Sequence, residues 1–241
     1  MFSYDLNTYN TISAEIVVPV IIDIFKPSSV IDVGCGNGSW LKVFENQNVH
    51  ITGIENSHII NAETFIDKNK IIITDLESDF QHNRTYDIVL CLEVAEHLSE
   101  KYAKKFIQKL CTLGDIIVFS AAVPAQGGYN HVNEQFLSYW IEIFKHYNFK
   151  CFDIIRSRIT HHSNVLWWYK QNMVVFINSE NHYSLKFKDF EILPGHDFVI
   201  KELYLSKVNT IYNIYNGSYS LSFYISLLLR KFRKKIKELL K

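Results

Sequence analysis

The segment VIDVGCGNGSW, residues 30–40, decides how the rest of the chain is read. An apolar run, SVIDV (29–33), leads into closely spaced glycines, and helical spacing follows over 38–47. A strand that turns through glycines into a helix brings backbone N–H groups close to a ligand. Several ligand types compete for such a turn. No Gly-Lys-Ser/Thr follows the glycines, so no lysine is placed to reach a terminal phosphate. In Gly34-Cys35-Gly36-Asn37-Gly38-Ser39 the last glycine falls one place early for Gly-x-Gly-x-x-Gly, and Ser39 stands where that fingerprint wants glycine. What remains is Asp-x-Gly-x-Gly-x-Gly, made by Asp32, Gly34, Gly36 and Gly38.

Outward from this turn the chain alternates. ISAEIVVPVIIDIF (12–25) has the broad apolar face of a helix that stops near Lys26-Pro27. Short continuous apolar runs follow at 29–33, 50–54, 70–74, 86–92 and 115–120, the signature of strands buried on both faces. Helical spacing lies between them at 38–47 and 100–113. This predicts an α/β fold, a mostly parallel sheet with helices on both faces. Segments 149–159 (FKCFDIIRSRI) and 167–178 (WWYKQNMVVFIN) read as two further strands. Residues 179–205 give no clear pattern.

With 241 residues, 48% of them hydrophobic, the chain can build one full core plus a small appendage. Lys+Arg and Asp+Glu are 25 each, which lacks the basic surplus of a nucleic-acid binder. Cys35, Cys91, Cys111 and Cys151 show no Cys-x-x-Cys spacing and read as reduced thiols of a cytoplasmic protein. MFSYDLNTYN (1–10) has no basic start or apolar centre, so no signal peptide is expected. LSFYISLLL (221–229) is too short to span a bilayer.

More chemistry stands at the ends of the predicted strands. Glu55 ends ITGIE, where a carboxylate can accept both hydroxyls of a ribose. Asp75-Leu76 ends the next strand, where they can bracket an adenine. YDIVLCLEVAEHL (86–98) carries Glu93, Glu96 and His97. Over roughly residues 28–178 this ordered series resembles the class I S-adenosylmethionine (SAM)-dependent methyltransferases. The resemblance implies a Rossmann-like sheet of seven strands with the last antiparallel, and SAM over the carboxyl ends of the first strands. It implies a domain over 1–178 and a C-terminal extension over 179–241. It implies that Asp32, Gly34, Gly36 and Gly38 line the methionine end, Glu55 binds the ribose, Asp75 and Leu76 face the adenine, and Leu92 and Glu93 close the pocket.

The acceptor is read from the residues after the fourth strand. Leu92-Glu93-Val94-Ala95 lacks the Asn/Asp-Pro-Pro-Tyr/Phe of amide and adenine-amine methyltransferases. It also lacks the Pro-Cys of cytosine-carbon enzymes. Glu93, Glu96 and His97 lie one helical turn apart and can face one point. VPAQGGYNHVNEQ (123–135) then brings His131 and Glu134 after the fifth strand. Glu-x-x-Glu-His with a later histidine resembles the small-RNA 2′-O-methyltransferases. That likeness implies Glu93, Glu96, His97 and His131 as ligands of magnesium, manganese or zinc. The competing reading makes His131 or His97 a general base, with Glu96 beside them. A plainer one makes His97 a capping residue and His131 an ordinary loop residue. Trp167, Trp168 and Tyr169, with Gln171 and Asn172, could stack on and bind a sugar. VFSAAVPAQGGYNHVNEQFLSYW (118–140) also resembles small bacterial methyltransferases linked with surface-polysaccharide synthesis. The expected acceptor is therefore a sugar hydroxyl, on a nucleotide-sugar or a glycan. RNA 2′-O-methylation and carboxyl or amine methylation of a small metabolite are the alternatives.

RKFRKKIKELLK (230–241) holds seven Lys/Arg and one Glu, so the remaining chain is acidic and argues against a nucleic-acid substrate. Ile225, Leu228, Leu229, Phe232, Ile236, Leu239 and Leu240 form one helical stripe beside these charges. Residues 221–241 thus suit either the anionic inner face of a membrane or docking on the protein's own domain or a second copy.

Overall fold

The structure, a computed structural model, describes residues 10–78 and 82–239, with side chains through Ile236. The leader reading at residues 1–9 and the stripe positions Leu239 and Leu240 lie outside the described residues or side chains.

Helix α1 (Ile12–Phe25) forms as the periodicity predicts. Asn10 Oδ1 accepts from the N–H of Ile12 at its start. Lys26, at φ 48°, ends it by donating its N–H to Ile22 O. Pro19 sits inside α1, where it removes one helical hydrogen bond. It lies on the exposed side, so the freed carbonyl can turn to water. Buried Val17, Val18, Ile21 and Ile24 form the opposite face.

β1 (Ser29–Val33), α2 (Ser39–Asn46), β2 (His50–Glu55), β3 (Ile71–Ile73) and β4 (Ile88–Leu92) follow. Then come α3 (Ala103–Leu113), β5 (Ile116–Ser120), α4 (Leu137–Lys145) and β6 (Phe149–Phe152). α5 (Arg156–Ile159), α6 (Trp167–Asn172), β7 (Val174–Asn178), α7 (His182–Lys186) and β8 (Glu191–Ile192) complete the sheet region. The strand order is β3-β2-β1-β4-β5-β7-β6-β8. β1 to β5 run parallel. β7 is antiparallel to both β5 and β6, and β6 to β8.

The continuous apolar strands are explained by two cores. Along β1, β4, β5 and β7, Val30, Leu90, Val118 and Val175 face one cluster with α1 and α2. Ile31, Val89, Phe119 and Phe176 face the other, with α3 and α4. Successive side chains of a strand alternate faces, so both faces must be apolar. In the second core the Phe144 and Phe176 rings stack at 3.7 Å, with Phe119 edge-on to both.

Several expectations need correction. The sheet has eight strands, because β8 adds to β6 through Cys151 and Phe152. WWYKQN is helix α6, and the last strand starts only at Val174. Arg156–Ile159 is likewise helical rather than part of a strand. Both misreadings come from aromatic and β-branched residues whose side chains find helical packing in this fold. The boundary between the two compact units falls after Phe198 rather than after residue 178, since 179–198 includes β8. The second unit holds α8 (Lys201–Tyr215) and α9 (Leu221–Leu239). The four cysteines are free thiols. No helix among the described residues is long and apolar enough to cross a membrane.

Candidate active site

The glycine loop leaves β1 at the centre of the sheet, where neighbouring connections run to opposite sides. Such a switch point opens a crevice at the carboxyl ends of the strands. Gly34, Gly36 and Gly38 all have positive φ, at 84°, 55° and 78°. At Gly34 the need for glycine is also steric, since a Cβ there would lie 2.4 Å from Val94 Cγ2. Gly34→Ala is therefore expected to lower stability by about 3 kcal/mol, from left-handed strain plus overpacking. Denaturant unfolding checks this, and adding Val94→Ala should recover the overpacking part alone.

Glu55 closes the loop from β2. Its carboxylate accepts from Gly36 N at 2.8 Å and from Asn56 N at 2.8 Å. Asp32 is 3% exposed. Burial, and then the charge of Glu55, push its carboxyl up to about 7. A cationic ligand would relieve this pair of acids. Tyr169 of α6 accepts from Trp40 Nε1 at 3.3 Å, and its phenol is pushed up by burial. Leu76 is buried, whereas Asp75 is exposed and caps its own turn by accepting from Glu77 N at 2.9 Å.

Glu93 ends β4 in the left-handed region at φ 56°. Its N–H donates to Ser120 O at 2.9 Å. Its carboxylate accepts from Gln126 Nε2 at 3.1 Å and from Asn172 Nδ2 at 3.0 Å. Asn172 also donates to Gln126 Oε1 at 2.9 Å. These amides join the end of β4 to the loop after β5 and to α6.

Beyond Glu93 a short turn carries Glu96 and His97. The carbonyl of Glu96 accepts from Val132 N at 2.9 Å and Asn133 N at 3.0 Å, which draws the loop after β5 over the end of β4. His97 and His131 meet edge to face at 4.9 Å. Ligand atoms of Glu96, His97 and His131 lie within 4.8 Å of one another. Glu96 is fully buried, and neither side-chain oxygen has a hydrogen-bond partner. Burial and the charge of Glu93 hold its carboxyl well above the usual range. Of the four residues expected to gather round a metal, Glu93 stands outside this group, engaged by the two amides.

The sequence did not single out what orients His131. Its Nδ1 pairs with Glu134 Oε1 at 2.9 Å. Glu134 also accepts from Ala125 N and Gly127 N, each at 2.8 Å. Burial raises the Glu134 carboxyl, but these bonds outweigh it and hold it below its usual range. An ionised Glu134 accepts Nδ1–H and leaves Nε2 of His131 as the free acceptor. Gly128 passes under that nitrogen, where a Cβ would come 2.2 Å from Nε2. Gly128→Ala should displace the ring and lower turnover on the order of tenfold or more, with the unfolding midpoint nearly unchanged. A large loss of stability would contradict that assignment.

A mainly parallel sheet with a glycine loop at its switch point and acids on the neighbouring strand ends is an α/β architecture of the methyltransferase type. Residues 14–154 match the family described as methyltransferase domain, and the chain belongs to that family. Among curated relatives, the ubiquinone biosynthesis O-methyltransferase of Rickettsia felis is 31% identical over 113 residues, covering 44% of this chain and 46% of the relative. The protein of the same name from Marinobacter nauticus is 30% identical over 79 residues, covering 29% and 33%. The chain thus spans less than half the length of these relatives. Among solved structures, a SAM-dependent methyltransferase from Archaeoglobus fulgidus is 15% identical at a TM-score of 0.48, covering 68% of this chain and 91% of its own. A plantazolicin methyltransferase in complex with a pentazolic desmethylPZN analog and SAH is 18% identical at a TM-score of 0.46, covering 69% of this chain and 83% of its own.

Proposed function

We propose that the chain methylates a hydroxyl oxygen, with His131 as general base. The observation that carries this is the Glu134–His131 pair, in which the carboxylate engages Nδ1 of a ring that stands close to Glu96 and His97. SAM, when bound, supplies a methyl group on an already activated sulfonium. The protein then has to align the acceptor oxygen and take up its proton. Asp32, Glu55 and the glycine loop would hold the cofactor, with Leu76 against the adenine and Leu92 and Glu93 closing the pocket. Nε2 of His131 removes the hydroxyl proton as the oxygen attacks. Glu134 steadies the imidazolium through Nδ1–H.

The proposed acceptor is a sugar hydroxyl on a nucleotide-sugar or glycan. Trp167 and Trp168 stay partly exposed on α6 and can stack on a sugar. The name of the relatives supports oxygen as acceptor and adds a second candidate, a hydroxyl of a ubiquinone-biosynthesis intermediate. Methyl-labelled SAM offered with nucleotide-sugars, glycan fragments, catechols and RNA ends tests the reading. O-methyl product from a sugar supports it. Transfer only to carboxylates or amines overturns it.

The unpartnered Glu96 carboxylate favours a second reading, in which Glu96, His97 and His131 bind a divalent cation. One carboxylate and two imidazoles suit manganese or zinc better than magnesium. A cation there would gather two neighbouring hydroxyls of the acceptor and acidify one. Calorimetry of manganese into the protein with S-adenosylhomocysteine bound should show one site that Glu96→Gln abolishes. No heat of binding, with turnover unaffected by chelator, would remove the metal and leave His131 as base.

A further inference from the structure

In α9 the residues Ile225, Leu228, Leu229, Phe232 and Ile236 are between 48% and 64% exposed. They are spaced at three and four residues, so they share one helical face. Arg230, Lys231, Arg233, Lys234 and Lys235 flank that face and are exposed. In α8 the residues Tyr204, Val208, Ile211 and Tyr215 form a second exposed stripe. The two helices are tied by Tyr224, whose hydroxyl donates to Asn213 O and Ile214 O at 3.0 and 2.9 Å. Residues 199–241 hold nine Lys/Arg against two Asp/Glu, and no acid lies between 203 and 237.

We propose that the α8–α9 hairpin docks on an anionic lipid surface, with α9 lying in the headgroup plane. An apolar stripe of this width buries in the acyl boundary while the flanking lysines and arginines reach anionic headgroups. Exposed Tyr204, Tyr212, Tyr215 and Tyr219 suit the interface, where an aromatic body meets a polar tip. Neither helix is long and apolar enough to span the bilayer, so the hairpin lies on it. Pairing the stripe with that of a second copy is disfavoured by charge. It would bring together two segments that each carry seven Lys/Arg against one Glu over residues 230–241.

The full chain is mixed with vesicles of phosphatidylcholine alone or with about 30% phosphatidylglycerol, and partitioning is measured by sedimentation at low and high salt. Binding to the anionic vesicles should exceed binding to the neutral ones by about tenfold or more and fall away in high salt. Phe232→Asp and the pair Lys231→Glu with Lys234→Glu should each reduce it on the order of tenfold. Both lie on an exposed surface and should leave methyl transfer in the absence of lipid unchanged. Equal partitioning into both vesicle types, or none, overturns the proposal. So does a lipid-free dimer that Phe232→Asp dissolves, which assigns the face to a second copy. RNA binding that survives Phe232→Asp, without vesicle preference, assigns the charge to a polyanion instead.

Discussion

Replacing His131 by alanine is expected to lower kcat by about 10²- to 10⁴-fold, the range that a positioned general base contributes. SAM affinity should stay nearly unchanged, because the glycine loop and Glu55 belong to other segments. The loop itself should stay in place, since its main-chain bonds to the carbonyl of Glu96 do not use the imidazole. Glu134→Gln should cost about 10- to 100-fold, as loss of an orienting carboxylate usually does. Steady-state kinetics with the best acceptor from the screen provide the check. A kcat within a few-fold of the parent for His131→Ala would remove the base and point to an acceptor that needs none.

The second large effect concerns Asp32. Its carboxyl is pushed from the usual range near 4 up to about 7 by burial and by Glu55. The folded chain therefore holds a proton there that the unfolded chain releases. Stability from this group is complete below about pH 4 and is lost as pH rises through about 7. Three pKa units correspond to about 4 kcal/mol. Asp32→Asn removes the burden of the buried charge, so at pH 8 it should melt about 5–15 °C above the parent. At or below about pH 4 the two should nearly coincide. The same substitution should weaken SAM on the order of tenfold, because a cationic sulfonium favours ionised acids beside it. Scanning calorimetry at both pH values, with and without SAM, tests both halves. A variant that is no more stable at pH 8 would show that Asp32 is not held neutral in the free protein.

The parts of the fold legible in the chain are those written in local periodicity. SVIDV, IVLCL and IIVFS read as strands buried on both sides from their short length and β-branched residues, and ISAEIVVPVIIDIF as a helix with a wide apolar face from its length and spacing. The glycine loop was legible because a positive φ and a close approach leave glycine as the residue that fits. WWYKQN was not, because its aromatic composition favours a strand while the segment forms helix α6. Arg156 Nη1 donates to Gln171 O at 3.0 Å from 15 residues away, which no local pattern announces. In the site, Glu96, His97 and His131 could be named from spacing. Glu134 could be named but not its hold on His131 and on the N–H groups of Ala125 and Gly127, nor could Gly128's approach to the ring, since both arise only when the loop after β5 folds back on itself; Gln126 matters only where that loop meets Glu93. The engagement of Glu93 by Asn172 across 79 residues is tertiary in the same way.

The paired bonds from Val132 and Asn133 to the carbonyl of Glu96 are made by groups that every residue but proline possesses. The part of the loop that presents residue 131 is therefore seated on the end of β4 by main chain, while the Glu134 carboxylate ties its earlier turn through Ala125 and Gly127. A single substitution at 131 or 128 can change what is presented to the acceptor without disturbing the half of the site built from β1 and β2. Such a division lets one cofactor platform be retained while the acceptor chemistry drifts, and it makes this loop the natural place to graft a new specificity.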